Sequence, residues 1–155
     1  NSIDANLPLK VHSVSDQAVC CGVTMAECRV IHPDELEVEL SSGNMTRLAG
    51  VSQSLVGSTG IHLAIATIPP GCASSPHWHV NCESAIYVLK GHGRFITGKN
   101  LESSLPIGPG DFIYVPPDAI HQPVNDSPSE PMQLIVARNT PVEIVVEYHR
   151  EKQRA

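Results

Sequence analysis

His77 to Gly91 reads HWHVNCESAIYVLKG, two histidines one residue apart just before an apolar run. In a β-strand alternate side chains share a face, so His77 and His79 aim two imidazoles into one space while Trp78 turns the other way. That arrangement suits a shared metal ion. It suits two histidines on a wet face equally well, and the rest of the chain has to separate the two readings.

Outward from this stretch, short apolar runs are closely punctuated by thirteen prolines and eleven glycines. The runs predict strands at Glu35–Leu40, Ile61–Ile68, Ala85–Leu89, Gly93–Thr97, Asp111–Val115, Gln133–Arg138 and Glu143–Tyr148. Breakers stand between them, among them Pro69-Pro70-Gly71, Gly91-His92-Gly93 and Pro116-Pro117-Asp118. Many short strands parted by turn signals predict an all-β sandwich or barrel. The barrel is placed at residues 44–148, behind an N-terminal arm over residues 1–43 and before a polar tail over 149–155. Asp16–Glu27 has the only pattern that suits a short helix. An arm of this kind covers a sheet edge or crosses to a second subunit. No internal repeat or low-complexity segment is evident.

At 155 residues the chain suits one domain that buries roughly two-thirds of its unfolded surface. Apolar residues make up 41%, enough for a core, and no apolar run approaches the roughly 18 residues that a membrane span needs. No basic stretch leading into an apolar one marks a secretory signal at the start given. The net charge is −6 and the ten Lys and Arg are scattered, which speaks against nucleic acid or an anionic membrane as partner. Five cysteines are an odd number, and Cys20 and Cys21 are adjacent. All five are read as reduced, Cys72 and Cys82 as small buried side chains, and the protein as cytoplasmic.

After Leu105 the chain continues PIGPGDFIYVPPDAIHQPVN. Asp111–Val115 is a short strand, Pro116-Pro117-Asp118 turns it, and His121 sits near the start of the next strand. If the two stretches pack side by side, His121 joins His77 and His79 around one ion. Three neutral imidazoles suit Fe(II), Mn(II), Ni(II), Cu(II) or Zn(II) and leave positions open for substrate, water or oxygen.

In these two stretches the sequence resembles the cupin superfamily. The family's first motif is Gly, five residues, His-x-His, three or four residues, Glu, six residues, Gly. The chain has Gly71-CASSP-His77-Trp78-His79-VNC-Glu83-SAIYVLK-Gly91. The second motif is Gly, five residues, Pro-x-Gly, two residues, His, three residues, Asn, and the chain has Gly110-DFIYV-Pro116-Pro117-Asp118-AI-His121-QPV-Asn125. The resemblance covers about Ile61 to Arg138. It implies a jelly-roll, or double-stranded β-helix, barrel with a metal held by His77, His79, a glutamate and His121. It also implies a homodimer, since the family tends to dimerise.

Two departures stand out. Asp118 replaces the family's Gly, so the turn must accept a side chain, which Asp tolerates better than most residues. Glu83 follows His79 at the right distance, but seven residues rather than six separate it from Gly91. Counted back from Gly91, the ligand position is Ser84, and in strict alternation Ser84, Ile86 and Val88 share one face while Glu83 shares the other with Ala85, Tyr87 and Leu89. Glu83 is taken as fourth metal ligand and catalytic base through a bulge or loop that resets the register. The alternative is a three-histidine site with Glu83 orienting a histidine.

Trp78 is assigned to sheet packing, His62 to core or surface, and Arg138 to a solvated strand end that could clamp a carboxylate. His12, His32, His92 and His149 receive no role. No GxSxG, Walker loop or CxxC occurs, so hydrolase, nucleotide-binding and thioredoxin-like readings lack support. The leading expectation is a mononuclear non-haem metal enzyme, a dioxygenase holding iron and acting on a small, largely uncharged oxygenated organic molecule. The alternatives are a metal-dependent isomerase or lyase and a non-enzymatic small-molecule binder.

Overall fold

The computed structural model describes residues 27–149. The expected helix at Asp16–Glu27 and the pair Cys20-Cys21 lie outside them, except for Glu27 itself. Eleven strands follow in chain order: β1 Glu37–Glu39, β2 Thr46–Val51, β3 His62–Ile68, β4 His77–His79, β5 Ser84–Lys90, β6 Gly93–Thr97, β7 Ser103–Ile107, β8 Phe112–Val115, β9 His121–Asn125, β10 Met132–Arg138 and β11 Val145–Glu147. The single helix among the described residues, α1 (Gln53–Val56), is one turn long; the Ser52 hydroxyl accepts from the Leu55 N–H and caps it. One sheet has the order β1-β2-β3-β10-β5-β8, the other β11-β4-β9-β6-β7, and the pairs are antiparallel. The all-β jelly-roll expected from the sequence is the fold observed. Glu37–Glu39, in the stretch read as arm, is an edge strand of the first sheet.

Two strands were not foreseen, for different reasons. β2 carries Arg47 and Gly50 in a run without clean alternation. β7 contains Pro106, which a ladder tolerates only at an edge, and β7 is the edge of its sheet. β9 is an interior strand with a proline, and its defect is repaired locally. Ser74 N–H donates to the Pro123 carbonyl, but Pro123 has no N–H to return. The Gln122 side-chain amide donates to the Ser74 carbonyl instead, at 2.8 Å.

The inner faces of the two sheets differ from end to end, and this places the site. β10 alternates strictly, with Met132, Leu134, Val136 and Arg138 buried. Toward one end Ile68, Val88, Met132, Leu134, Phe95 and Ile107 form the apolar core. There the Asn125 amide closes the barrel by donating to the carbonyls of Ile68, Pro69 and Glu130. Toward the other end the inward positions turn polar: Arg138 pairs across the sheet with His62 on one side and Ser84 on the other. All three are buried. A buried polar layer persists only where its groups find partners, so this end carries interactions of its own.

Candidate metal centre

β4 is three residues long, and its alternation points His77 and His79 to the same interior face. His77 lies directly opposite His121 in the β4–β9 pairing, which brings the two side chains within reach across one ladder rung. The ring centroids are 4.4 Å apart for His77 and His121, 5.0 Å for His77 and His79, and 5.3 Å for His79 and His121. One ring nitrogen from each can be chosen so that all three lie within 4.8 Å of one another, a group that could hold a metal ion. All three rings are buried.

The tautomers are set by what each outer nitrogen meets. His77 Nδ1 is 2.7 Å from the Ser75 carbonyl and His121 Nδ1 is 2.8 Å from the Ala119 carbonyl. A carbonyl only accepts, so each Nδ1 carries the proton and each Nε2 lone pair is left for a cation. His79 Nδ1 instead lies 3.0 Å from a carboxylate oxygen of Glu143. Phe95 stacks on His121 at 5.5 Å with an interplanar angle of 11°, which fixes that ring's plane.

Glu143 anchors a partly buried ion network. Its Oε2 is 2.9 Å from Arg138 Nε and its Oε1 contacts Arg47. Arg47 Nε donates to Glu39 at 2.6 Å, and Glu39 in turn meets His62 Nε2 at 2.7 Å. Arg138 is therefore not the solvated strand end expected: it is buried and bound to a carboxylate of its own chain. Burial works to raise the Glu143 carboxyl, but contact with His79, Arg138 and Arg47 outweighs it and holds the group down to about 2. Burial is the main force pushing His121 down to about 3, with His77, His79 and Arg138 adding to it. His77 is lowered by burial as well, against the pull of the Ser75 carbonyl.

These shifts give a pH dependence. For His121 the folded value lies below the unfolded one of 6.5, so the unfolded chain takes up the proton first. Stability is then lost as pH falls from about 6.5 toward 3, at about 1.4 kcal/mol per pH unit. Glu143 contributes stability above its unfolded value of 4.5 that is lost as pH falls toward 2. Metal-stripped protein is therefore expected to unfold at progressively lower urea concentration at pH 6, 5.5 and 5 than at pH 7.5. A flat profile from pH 7.5 to 5 contradicts a buried neutral His121.

Glu83 is not at the site. It is exposed, and its carboxylate accepts from the Tyr114 hydroxyl at 2.9 Å and from the Asn139 amide at 3.4 Å. The expectation that Glu83 serves as metal ligand or catalytic base is corrected by register. The β5–β10 ladder does contain an irregularity, but between Gln133 and Leu134, opposite Val88 and Lys90. Alternation from Ser84 to Val88 is unbroken and Glu83 faces out. Ser84 takes the inward position, and its buried hydroxyl has no hydrogen-bond partner. The part expected of Glu83 in orienting a histidine falls to Glu143. Asp118 adopts the left-handed backbone that its place requires, at φ 62°, and its N–H donates to the His79 carbonyl at 2.8 Å.

Two cavities meet at the arginines. The inner one, about 30 Å³, is lined by the three histidines, Ser84 and apolar side chains including Ile86 and Leu134, with Arg47 and Arg138. The outer one, about 340 Å³, is lined by Ser52, Gln53, Ser54, His62 and Thr140, again with Arg47 and Arg138, and with Glu39 and Glu143. Two arginines and two carboxylates thus border the site.

A family model described as "Cupin domain" matches residues 64–138. These carry both histidine stretches, on the strands that build the two facing sheets. Residues 64–138 form a cupin domain. Similar solved structures support the fold of this cupin domain. The polyketide cyclase RemF of Streptomyces resistomycificus matches 81% of the chain over 89% of its own, at 19% identity and TM-score 0.67. A cupin-superfamily sugar phosphate isomerase of Silicibacter pomeroyi matches 79% over 83%, at 19% identity and TM-score 0.62. The oxalate decarboxylase of Bacillus subtilis, a protein with Mn(II) centres, matches 70% over 29%, at 23% identity and TM-score 0.59. No curated protein sequence matches the chain. No helix among the described residues is long and apolar enough to cross a membrane.

Proposed function

We propose that the cupin domain is a mononuclear metalloenzyme in which His77, His79 and His121 hold one divalent transition ion through Nε2, and that it acts on a small oxygenated organic molecule as an iron dioxygenase. The observation that carries this reading is the donor set. Three buried imidazoles converge, two of them with Nδ1 committed to backbone carbonyls and the third facing a carboxylate. Neutral nitrogens suit Fe(II), Mn(II), Ni(II), Cu(II) and Zn(II) alike. The unpartnered Ser84 hydroxyl on the wall of the same cavity fits a site that receives a polar ligand. When bound, such an ion supplies redox or Lewis-acid activation of an oxygen ligand. The chain's own part is to hold the rings in one tautomer and to exclude bulk water with Ala66, Ile86, Leu134 and Val136.

Oxygen uptake by iron-loaded protein with candidate diketones and flavonols tests the reading. Turnover that is unchanged after oxygen removal overturns the dioxygenase branch. A second reading, a metal-dependent isomerase or lyase, is favoured by the neutral donor set of three imidazoles, which holds Zn(II) or Mn(II) as readily as Fe(II). It predicts turnover with Zn(II) or Mn(II) and no oxygen uptake.

The working unit in this reading is a cytoplasmic homodimer. Free thiols at Cys28, Cys72 and Cys82 fit a reducing compartment. The dimer rests on the outer face of the six-stranded sheet, where Val38, Leu48, Ile65, Ile135, Tyr87 and Phe112 pair in turn across every strand. That apolar row spans roughly 25 Å at about 4.8 Å per strand, with Leu63 and Tyr114 exposed beside it. A continuous apolar row along one sheet face can meet its own copy under a two-fold axis. Light scattering is expected to give twice 16.6 kDa, and Tyr87→Glu to give the monomer with metal binding intact. A monomeric wild-type protein contradicts the assignment.

A further inference from the structure

We infer that Arg47 and Arg138 form a carboxylate-binding subsite which Glu143 keeps occupied, and that the ligand of the metal centre is a small organic acid carrying a second oxygen donor beside its carboxylate. This rests on the metal reading above and names its substrate class.

Size is the first observation. The inner cavity beside the histidines measures about 30 Å³, about a tenth of the roughly 300 Å³ at which ordinary small-molecule sites begin. It holds no organic ligand as it stands. The outer cavity, about 340 Å³, falls within the ordinary range for small-molecule sites. Arg47 and Arg138 belong to the walls of both, and Glu143 bridges the two guanidinium groups. The two arginines stand where the outer cavity borders the one that the histidines line.

Charge is the second. Two guanidiniums, Arg138 buried and Arg47 half-buried, converge on one carboxylate, and the 2.9 Å contact of Arg138 Nε with Glu143 Oε2 leaves both of these buried atoms without a well-formed hydrogen bond. An incoming carboxylate that takes the place of Glu143 leaves the charge between the arginines unchanged, whereas a neutral ligand would leave the buried Arg138 without a carboxylate. Guanidinium groups match carboxylate geometry. The second oxygen of such an acid would face the three histidines and the unpartnered Ser84 hydroxyl, and the remainder the hydroxyls and amide of Ser52, Gln53, Ser54 and Thr140.

The third observation is how Glu143 is carried. It lies outside the regular strands, in the stretch between β10 and β11. Asn81 grips that stretch from outside the barrel: its amide donates to the Val142 carbonyl at 2.9 Å and its oxygen accepts from the Ile144 N–H at 2.7 Å. Thr140 donates to the Val142 carbonyl at 3.0 Å. Glu143 itself has no ladder partner, so its side chain can swing away while these bonds hold the backbone in place.

Calorimetric titration of zinc-loaded protein with pyruvate and with hydroxyacetone, which keeps the ketone but replaces the carboxylate, tests the inference. Pyruvate is expected to bind at least tenfold more tightly. Glu143→Gln keeps the shape but weakens the internal competitor, so pyruvate affinity should rise at least fivefold, while Arg138→Met should abolish the preference for pyruvate. Equal affinity for the two probes, or pyruvate binding indifferent to Glu143→Gln, overturns the inference. Zinc titration without any acid is read separately. If wild-type protein takes up no zinc, the metal reading fails, and acetate binding to metal-free Glu143→Gln, abolished by Arg138→Met, then decides the subsite alone.

Discussion

Replacing His121 by alanine is expected to lower affinity for a divalent transition ion by two to three orders of magnitude while the barrel stays folded. Binding of a structural zinc by four ligands is worth about 10–16 kcal/mol, so one imidazole accounts for about 3–4 kcal/mol, and each 1.4 kcal/mol is tenfold. His121 is the ligand that comes from the second histidine stretch, and it sits opposite His77 on the ladder. Its loss reduces the group to two donors on one three-residue strand. The fold is expected to tolerate the change, because the removed ring is a buried polar group and its outer nitrogen meets only a backbone carbonyl. Competition with a chromophoric chelator measures the affinity, and His92→Ala, at an exposed position, serves as control. Equal affinities for wild type and His121→Ala would remove the metal centre from consideration and leave the β-barrel alone.

The second large effect falls on the fold. A Cβ at Gly93 would stand 2.0 Å from the Val124 carbonyl oxygen, across the β6–β9 ladder. No rotamer relieves that contact, since both atoms belong to backbone geometry. Gly93→Ala must therefore push β6 from β9, and β9 carries His121. We expect a loss on the order of 3–5 kcal/mol, at the upper end for single substitutions, or roughly 10–15 °C in Tm. Gly110 makes the comparison. It has open space around it and φ of +97°, so alanine there meets only backbone strain, about 1–3 kcal/mol. A Gly93→Ala variant as stable as wild type would contradict the β6–β9 register.

Much of the site could be read from the chain because its parts are local. His77 and His79 are two residues apart on a strand, and strand geometry alone points them together. The meeting with His121 needed only that two punctuated stretches pack side by side. Ser84 was legible too, by counting back from Gly91, and the unbroken alternation of β5 is why that count holds and Glu83 fails. Glu143 was not legible. It is a single acidic residue in TPVEIVVEY, in a run expected to be strand from Glu143 onward, whereas the strand begins at Val145. Its partners Arg47, His79 and Arg138 come from three other elements, and no local spacing announces a contact of that kind. His62 and Glu39 met for the same nonlocal reason. β7 escaped notice because Pro106 argues against a strand unless the strand is known to be an edge, which is a fact about its neighbours.

β4 touches β9 through one residue pair, whereas β6 and β9 share five. The ribbon of β4 and β11 is thus riveted to the sheet mainly at the rung where His77 and His121 face each other. A cation gripped from both sides of that rung would act as a fastener on the weakest seam of the barrel. Stripping it with a chelator should let the ribbon unzip locally while the rest stays shut. Amide exchange at Val80 and Tyr148, which bond within the ribbon, would then accelerate well before that of Leu134 or Val88.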